Sequence, residues 1–264
     1  MIKKIFFALI LSTIVFSCNK DDDDEVTYLS QEDQIKVDTE GIKYLIAHYA
    51  LTTDGNLIAD INGDGDITDT DLTATLPTGA YWLKDIVQPL SNGAYYAILP
   101  GKQGTGESPD TNDLLTLNYG VHSFYAYTST TGSTTVNSTG KSGNIYNGTD
   151  PITDPNFYAF DIDKYAKVLY GSNVSNMTKD QWNSMVSYYN DNNIYNRYVV
   201  SEFVEGIQKF KSREVAPNSP LSVQGIIIAS SANSKGQEAY LSVGVRKDYF
   251  TVFVVDLLKV VKQK

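Results

Sequence analysis

The chain has 264 residues with 42% hydrophobic content, enough to bury a core of ordinary size in one large domain or two modest ones, which excludes a disordered protein. Its 31 acidic residues outnumber 21 basic ones, but ten of the acids lie in Asp21–Glu25 and among the five aspartates from Asp60 to Asp71; removing them leaves 21 against 21. A body so balanced argues against a phosphate-binding surface and against nucleic acid as a partner, and the lone Cys18 excludes internal disulfides and thiolate metal clusters.

Lys3 and Lys4 precede an apolar run from Ile5 to Phe16, the layout of a secretory signal too short to span a bilayer. Val15-Phe16-Ser17-Cys18 resembles a bacterial lipobox, which implies cleavage after residue 17 and a lipid anchor on Cys18. Residues 18–30 then read as a tether, because the block Asp21 to Glu25 repels itself and stays solvated. The block also resembles the acidic signal that directs some Gram-negative lipoproteins to the surface. The implied location is the outer membrane, facing either the periplasm or the exterior.

Residues 31–92 read as an N-terminal helical segment. Ile35, Ile42, Leu45 and Ile46 are spaced for a helix interrupted or kinked near Gly41. Asp60 to Asp71 (DINGDGDITDTD) then fits a calcium-loop spacing. Asp60, Asn62 and Asp64 offer side-chain oxygens, Gly65 permits the sharp turn, Asp66 supplies its carbonyl and Asp71 closes the loop. Five carboxylates in twelve residues repel one another without a cation, so a structural calcium ion is expected. The closing Asp in place of Glu is similar to dockerin calcium loops and reaches less far.

From Tyr95 the pattern becomes β, with a short apolar run to Leu99 and an alternating stretch from Leu114 to Tyr127 rich in Tyr and Thr. Residues 140–196 form a long insertion in which Thr178-Lys179-Asp180-Gln181 reads as a capping box ahead of Trp182, Met185, Val186 and Tyr189 at helical spacing. Ser201 to Phe210 is a short helix with Phe203, Ile207 and Phe210 on one face. Strands are expected over Leu221–Ala229, Glu238–Val245 and Tyr249–Val260. In the last, Phe253, Val255 and Leu257 face one side and Phe250, Val252 and Val254 the other, so the sheet must be covered on both faces.

Several of these stretches, in this order, resemble the FKBP-type peptidyl-prolyl isomerase family over residues 93–264, outside the insertion. The turn Gly104-Thr105-Gly106-Glu107-Ser108-Pro109 enters the first long strand, which ends in Tyr119 at the family's pocket tyrosine. Val199 and Val200 stand at its paired aliphatic positions, Phe203 at the pocket floor, Glu205-Gly206 within its helix and Phe253 at the pocket phenylalanine. The resemblance implies an α+β fold with an antiparallel sheet wrapped on a short helix, and proline-containing polypeptides as partners. A planar X-Pro bond faces a barrier of ~18–20 kcal/mol, and a water-poor aromatic pocket can favour its twisted, less charge-separated form. That chemistry calls for no catalytic cofactor, nucleophile or metal, and the chain's two histidines, His48 and His122, suggest no triad.

The chain departs from the family in two places. In the flap, Val136 stands where Phe is usual and Asn137 where the family carries an Asp bordering the bound proline. The Pro-x-x-x-Ala-Tyr-Gly turn is replaced by Ala229 to Gly236 (ASSANSKG), without its ligand-binding tyrosine. The expectation is therefore an envelope lipoprotein with an FKBP-like domain, a proline isomerase or folding helper of reduced activity. The alternatives are a non-catalytic peptide- or protein-binding module on the same scaffold, or a calcium-dependent surface adhesion or glycan-associated lipoprotein.

Overall fold

A computed structural model describes residues 29–63, 67, 71–111, 113–128, 134–141, 151–153, 155, 157–158, 178–192, 197–216, 219–237 and 245–263. The chain is of the α+β class, with helices packed on antiparallel sheets. Helix α1 (Gln31–His48) starts at Ser30, whose hydroxyl oxygen accepts the N–H of Asp33 and satisfies one of the donors a helix start leaves unpaired. A small sheet of β1 (Ala50–Thr52), β2 (Leu57–Ile58) and β3 (Ala80–Trp82) follows, in the order β2-β1-β3.

Helix α2 (Leu83–Ile86) leads into the main sheet through β4 (Val87–Pro89), β5 (Tyr95–Ile98), β6 (Leu114–Thr128), β7 (Thr134–Lys141) and the short β8 (Ile152–Thr153). Helix α3 (Lys179–Asp191) has the expected reciprocal capping box between Thr178 and Gln181. Helix α4 (Ser201–Ile207), β9 (Gly225–Ala229) and β10 (Phe250–Val261) complete the described elements. The sheet runs β4-β5-β9-β10-β6-β7, with β8 paired to β6. The expected strand Glu238–Val245 falls mostly outside the described residues.

Strand β10 lies between β9 and β6, and its alternation divides the core. Phe253, Val255 and Leu257 join Leu115, Leu117, Ile227 and the apolar face of α4 on one side. Phe250, Val252 and Val254 join Phe124, Ile226, Ile228 and the Ile42–Leu45 face of α1 on the other. Both faces are thus covered, and the N-terminal segment shares the core of the main sheet.

The helix is not interrupted at Gly41. A Cβ there would lie 2.5 Å from the Cβ of Ala126 and 3.0 Å from Phe250 Cε1, so the glycine is what allows α1 to approach the sheet. The buried face of α1 includes Gln34 and Asp38, whereas Ile35 remains 46% exposed. Asp38 Oδ2 accepts the N–H of Ser231 at 2.6 Å and the hydroxyl of Ser234 at 2.5 Å, and Gln34 Nε2 donates to Asp38 Oδ1 and to the carbonyl of Asp248. These bonds compensate the burial of polar groups on an otherwise apolar face.

Candidate functional site

Helix α4 sits directly on the sheet because Gly206 has no Cβ, which would meet Ile227 Cγ2 at 2.7 Å. Phe203 and Ile207, four residues apart, form its buried stripe, and Phe210, expected within the helix, is buried just beyond its end. Two carboxylates fix its orientation. Glu202, fully buried, pairs with Lys235 at 3.1 Å and accepts the hydroxyls of Ser201 and Ser230. Glu205 accepts both the N–H of Ser91 at 2.7 Å and its hydroxyl at 2.8 Å. Desolvation opposes the charge on Glu205, but the Ser91 hydroxyl and N–H, the Asn92 N–H and nearby Lys209 outweigh it and hold the carboxyl below its ordinary range.

Tyr119, Phe203 and Phe253, expected to line a pocket, do converge from a strand, a helix and a second strand. Phe203 and Phe253 meet at 4.9 Å between ring centroids with planes inclined by 62°. A residue that sequence reasoning missed fills the space among the three. Phe157 lies 4.7 Å from Tyr119, 4.8 Å from Phe203 and 5.4 Å from Phe253 by ring centroid. The three phenylalanines are fully buried, while Tyr119 is half-buried.

The main chain holds Phe157 in place as well. Its carbonyl accepts the N–H of Val200 at 2.8 Å, at the entry to α4. Pro155 and Tyr158 close a turn around it, with the Tyr158 N–H donating to the Pro155 carbonyl at 2.9 Å and the Tyr158 hydroxyl donating to the Asp110 carbonyl at 2.7 Å. Val199 and Val200 are both buried, and Val200 belongs to the same core cluster. The sequence signal was present in a Pro-Asn turn followed by two adjacent aromatics, but it lay within the insertion. Such a site is dry and aromatic, suited to holding an apolar side chain by edge-to-face contacts and not to transferring protons.

Of the two flap positions, Val136 lies elsewhere. Val136 pairs with Ala126 in the β6–β7 ladder and packs in the core on the α1 face, opposite the aromatic cluster. Asn137 pairs through its backbone with Tyr125. The resemblance put Val136 at the pocket's flap, whereas it packs with Ile42, Leu45 and Phe250 beneath α1.

The segment Ala229–Gly236 has its own partners in α1 and α4. Besides the Asp38 bonds, Asn233 Nδ2 donates to the Leu29 carbonyl at 2.9 Å and Gln31 Nε2 donates to the Ser234 carbonyl at 3.2 Å. Lys235 supplies the cation for Glu202 and donates to the Asn92 carbonyl. A cleft of about 280 Å³ opens beside it, lined by Asp38, Tyr95, Ser230, Ser234 and Lys235 among others. The loop that departs from the family pattern is thus the seat of the N-terminal helix.

In the calcium-loop candidate, Asp64 and Asp66 lie outside the described residues, as does Cys18. Asp71, fully buried, opens a 3₁₀ turn and its Oδ1 accepts the N–H groups of Ile61 at 2.9 Å and Asn62 at 3.1 Å. Asp60 Oδ1 accepts the N–H of Gly63 at 2.7 Å. The closing carboxylate is thereby folded back onto the start of the loop, bringing Asp60, Asn62 and Asp71 into one turn. Among the described residues no group of three or more His, Cys, Asp or Glu is arranged to hold a metal.

No protein-family model matches this chain, and no curated protein matches it in sequence.

Proposed function

We propose that this chain is an envelope lipoprotein whose FKBP-like domain binds segments of secreted polypeptides as a folding helper, with little or no prolyl isomerase turnover. The observation that carries the reading is the convergence of Tyr119, Phe203 and Phe253 beside Val200, from stretches up to 134 positions apart in sequence (253 − 119), where a short helix packs on an antiparallel sheet. The filling of their common space by Phe157, and the distance of Val136 from it, favour binding over catalysis. Cys18 serves as the lipid anchor, and Asp60, Asn62, Asp64, Asp66 and Asp71 hold a structural calcium ion ahead of the domain.

The test is a protease-coupled isomerisation assay on a proline tetrapeptide, run with and without calcium, beside a refolding assay on a proline-rich secreted client. The expected result is suppressed aggregation of the client with weak or no acceleration of isomerisation. Turnover equal to that of an ordinary family member would remove the non-catalytic part of the reading; no effect on either assay would remove the whole of it.

A further inference from the structure

Among the features outside the expected site, the turn at residues 155–158 stands apart in how it is held. Its internal bond, from the Tyr158 N–H to the Pro155 carbonyl, belongs to the turn itself. Among the described residues its connections include the Phe157 ring among Tyr119, Phe203 and Phe253, the Phe157 carbonyl on the Val200 N–H, and the Tyr158 hydroxyl on the Asp110 carbonyl. None of the pairings among β5, β9, β10 and β6 involves it. Rings from β6, β10 and α4 receive Phe157, and the backbone N–H of Val200 is aimed where an incoming carbonyl sits.

This is the anatomy of a peptide bound in a groove: a buried aromatic anchor, a second anchor whose hydroxyl meets a backbone carbonyl, and a main-chain hydrogen bond that fixes direction. We propose that the turn at 155–158 is an intramolecular ligand, and that the aromatic pocket takes in trans a polypeptide segment presenting Phe-Tyr, or a similar aromatic pair, after a proline turn. The proposal deepens the folding-helper reading and rests on it for the expectation that the partners are polypeptides. It gives those partners a chemical class: aromatic, turn-forming segments in place of proline alone. It also makes occupancy by the chain's own turn a competitor, since a covalently attached ligand acts at an effective concentration of about millimolar order.

The test uses the whole chain, wild type and Phe157→Ala, titrated with a fluorescent heptapeptide of sequence TDPNFYA, which reproduces residues 153–159, and with a control in which its Phe is Ala. The expected result is that Phe157→Ala binds the heptapeptide roughly tenfold or more tightly than wild type, because the competing turn has lost its anchor, and that neither protein binds the control. Equal affinity of wild type and variant, binding of the control, or no binding by a folded variant would each overturn the proposal. Should Phe157→Ala fail to fold, Phe157→Leu and the addition of saturating heptapeptide replace it; failure of both to fold makes Phe157 an integral core residue and overturns the proposal too. The isomerase question separates cleanly: a variant that binds the heptapeptide without accelerating isomerisation upholds the ligand class, whereas one that isomerises without binding it overturns the ligand class and supports catalysis.

Discussion

The ring of Phe157 meets that of Phe203 nearly perpendicular, at 86° and 4.8 Å, so that a side chain from the insertion and one from the short helix share a single dry contact. The contact is of the kind that adds to area burial, because the positive edge of one ring addresses the negative face of the other. It ties the stability of the helix to the state of the pocket.

Phe203→Ala removes the ring on which Phe157 and Phe253 both pack. Truncating a fully buried phenylalanine costs about 3–5 kcal/mol, so the urea midpoint should fall sharply and the near-ultraviolet aromatic signal weaken. A loss under about 1 kcal/mol would mean that the cluster is not close-packed.

Gly41→Ala sets two effects of opposite sign against each other. Alanine favours a helix over glycine by ~1 kcal/mol. Its methyl, however, would meet Ala126 Cβ at 2.5 Å, an atom fixed to the sheet backbone that cannot swing aside. Overpacking of this kind costs ~1–3 kcal/mol and wins, so the variant should be less stable by urea denaturation. A stabilised variant would show that α1 has room to lift.

Glu205→Gln tests the tie between α4 and Ser91 as a function of pH. The folded carboxyl is held below its ordinary range by Ser91 and Asn92, against the desolvation that opposes its charge. A depressed acid stabilises the fold fully above its unfolded value and loses that contribution as pH falls through the folded one. Wild type should therefore exceed the variant in stability at neutral pH, with the gap closing once the medium is acidic enough to protonate Glu205 in both states. Urea midpoints at neutral pH and near pH 3, where the ordinary glutamate is already largely protonated, would show it.

Asp60→Asn separates metal binding from turn formation. Asparagine keeps an oxygen for the Gly63 N–H but removes a charge from the loop. Calorimetry should detect calcium binding to wild type at up to millimolar concentration and markedly weaker binding to the variant, with the fold of both intact. Absence of heat with wild type would reduce the segment to a plain surface turn.

Cys18→Ala should abolish incorporation of labelled fatty acid and release the protein from the membrane pellet into the soluble envelope fraction. Retention of label by the variant would place the anchor elsewhere.

Much of the fold was legible because β10 advertises both of its faces: an apolar residue at every position from Phe250 to Val255 apart from Thr251 demands two coverings. The capping box at Thr178 and the stripe at Phe203, Ile207 and Phe210 were local signals that tertiary packing had no reason to override. What failed were features decided by distant contact. Gly41 reads as a helix breaker until Ala126 is seen against it, and the burial of Asp38 beside Ser231 and Ser234 has no local signal. The packing of Val136 under α1 was not legible because a resemblance along sequence says nothing of which sheet face α1 occupies. Phe157 carries no local mark of its role, because the rings it meets lie 38 to 96 positions away in sequence (157 − 119, 253 − 157).

The placement of β10 also governs the order in which the molecule can be assembled. Both strands that it joins, β6 and β9, precede it in the chain, and α1, which covers its Phe250–Val254 face, precedes it by some two hundred residues (250 − 48 = 202). During synthesis the early elements must wait, with the edges of β6 and β9 open, until the last-made strand arrives to close them. A protein read here as a helper of other chains would itself spend its vulnerable interval as an unpaired sheet, slow to close because its decisive contacts are long-range and prone to pairing with a neighbour.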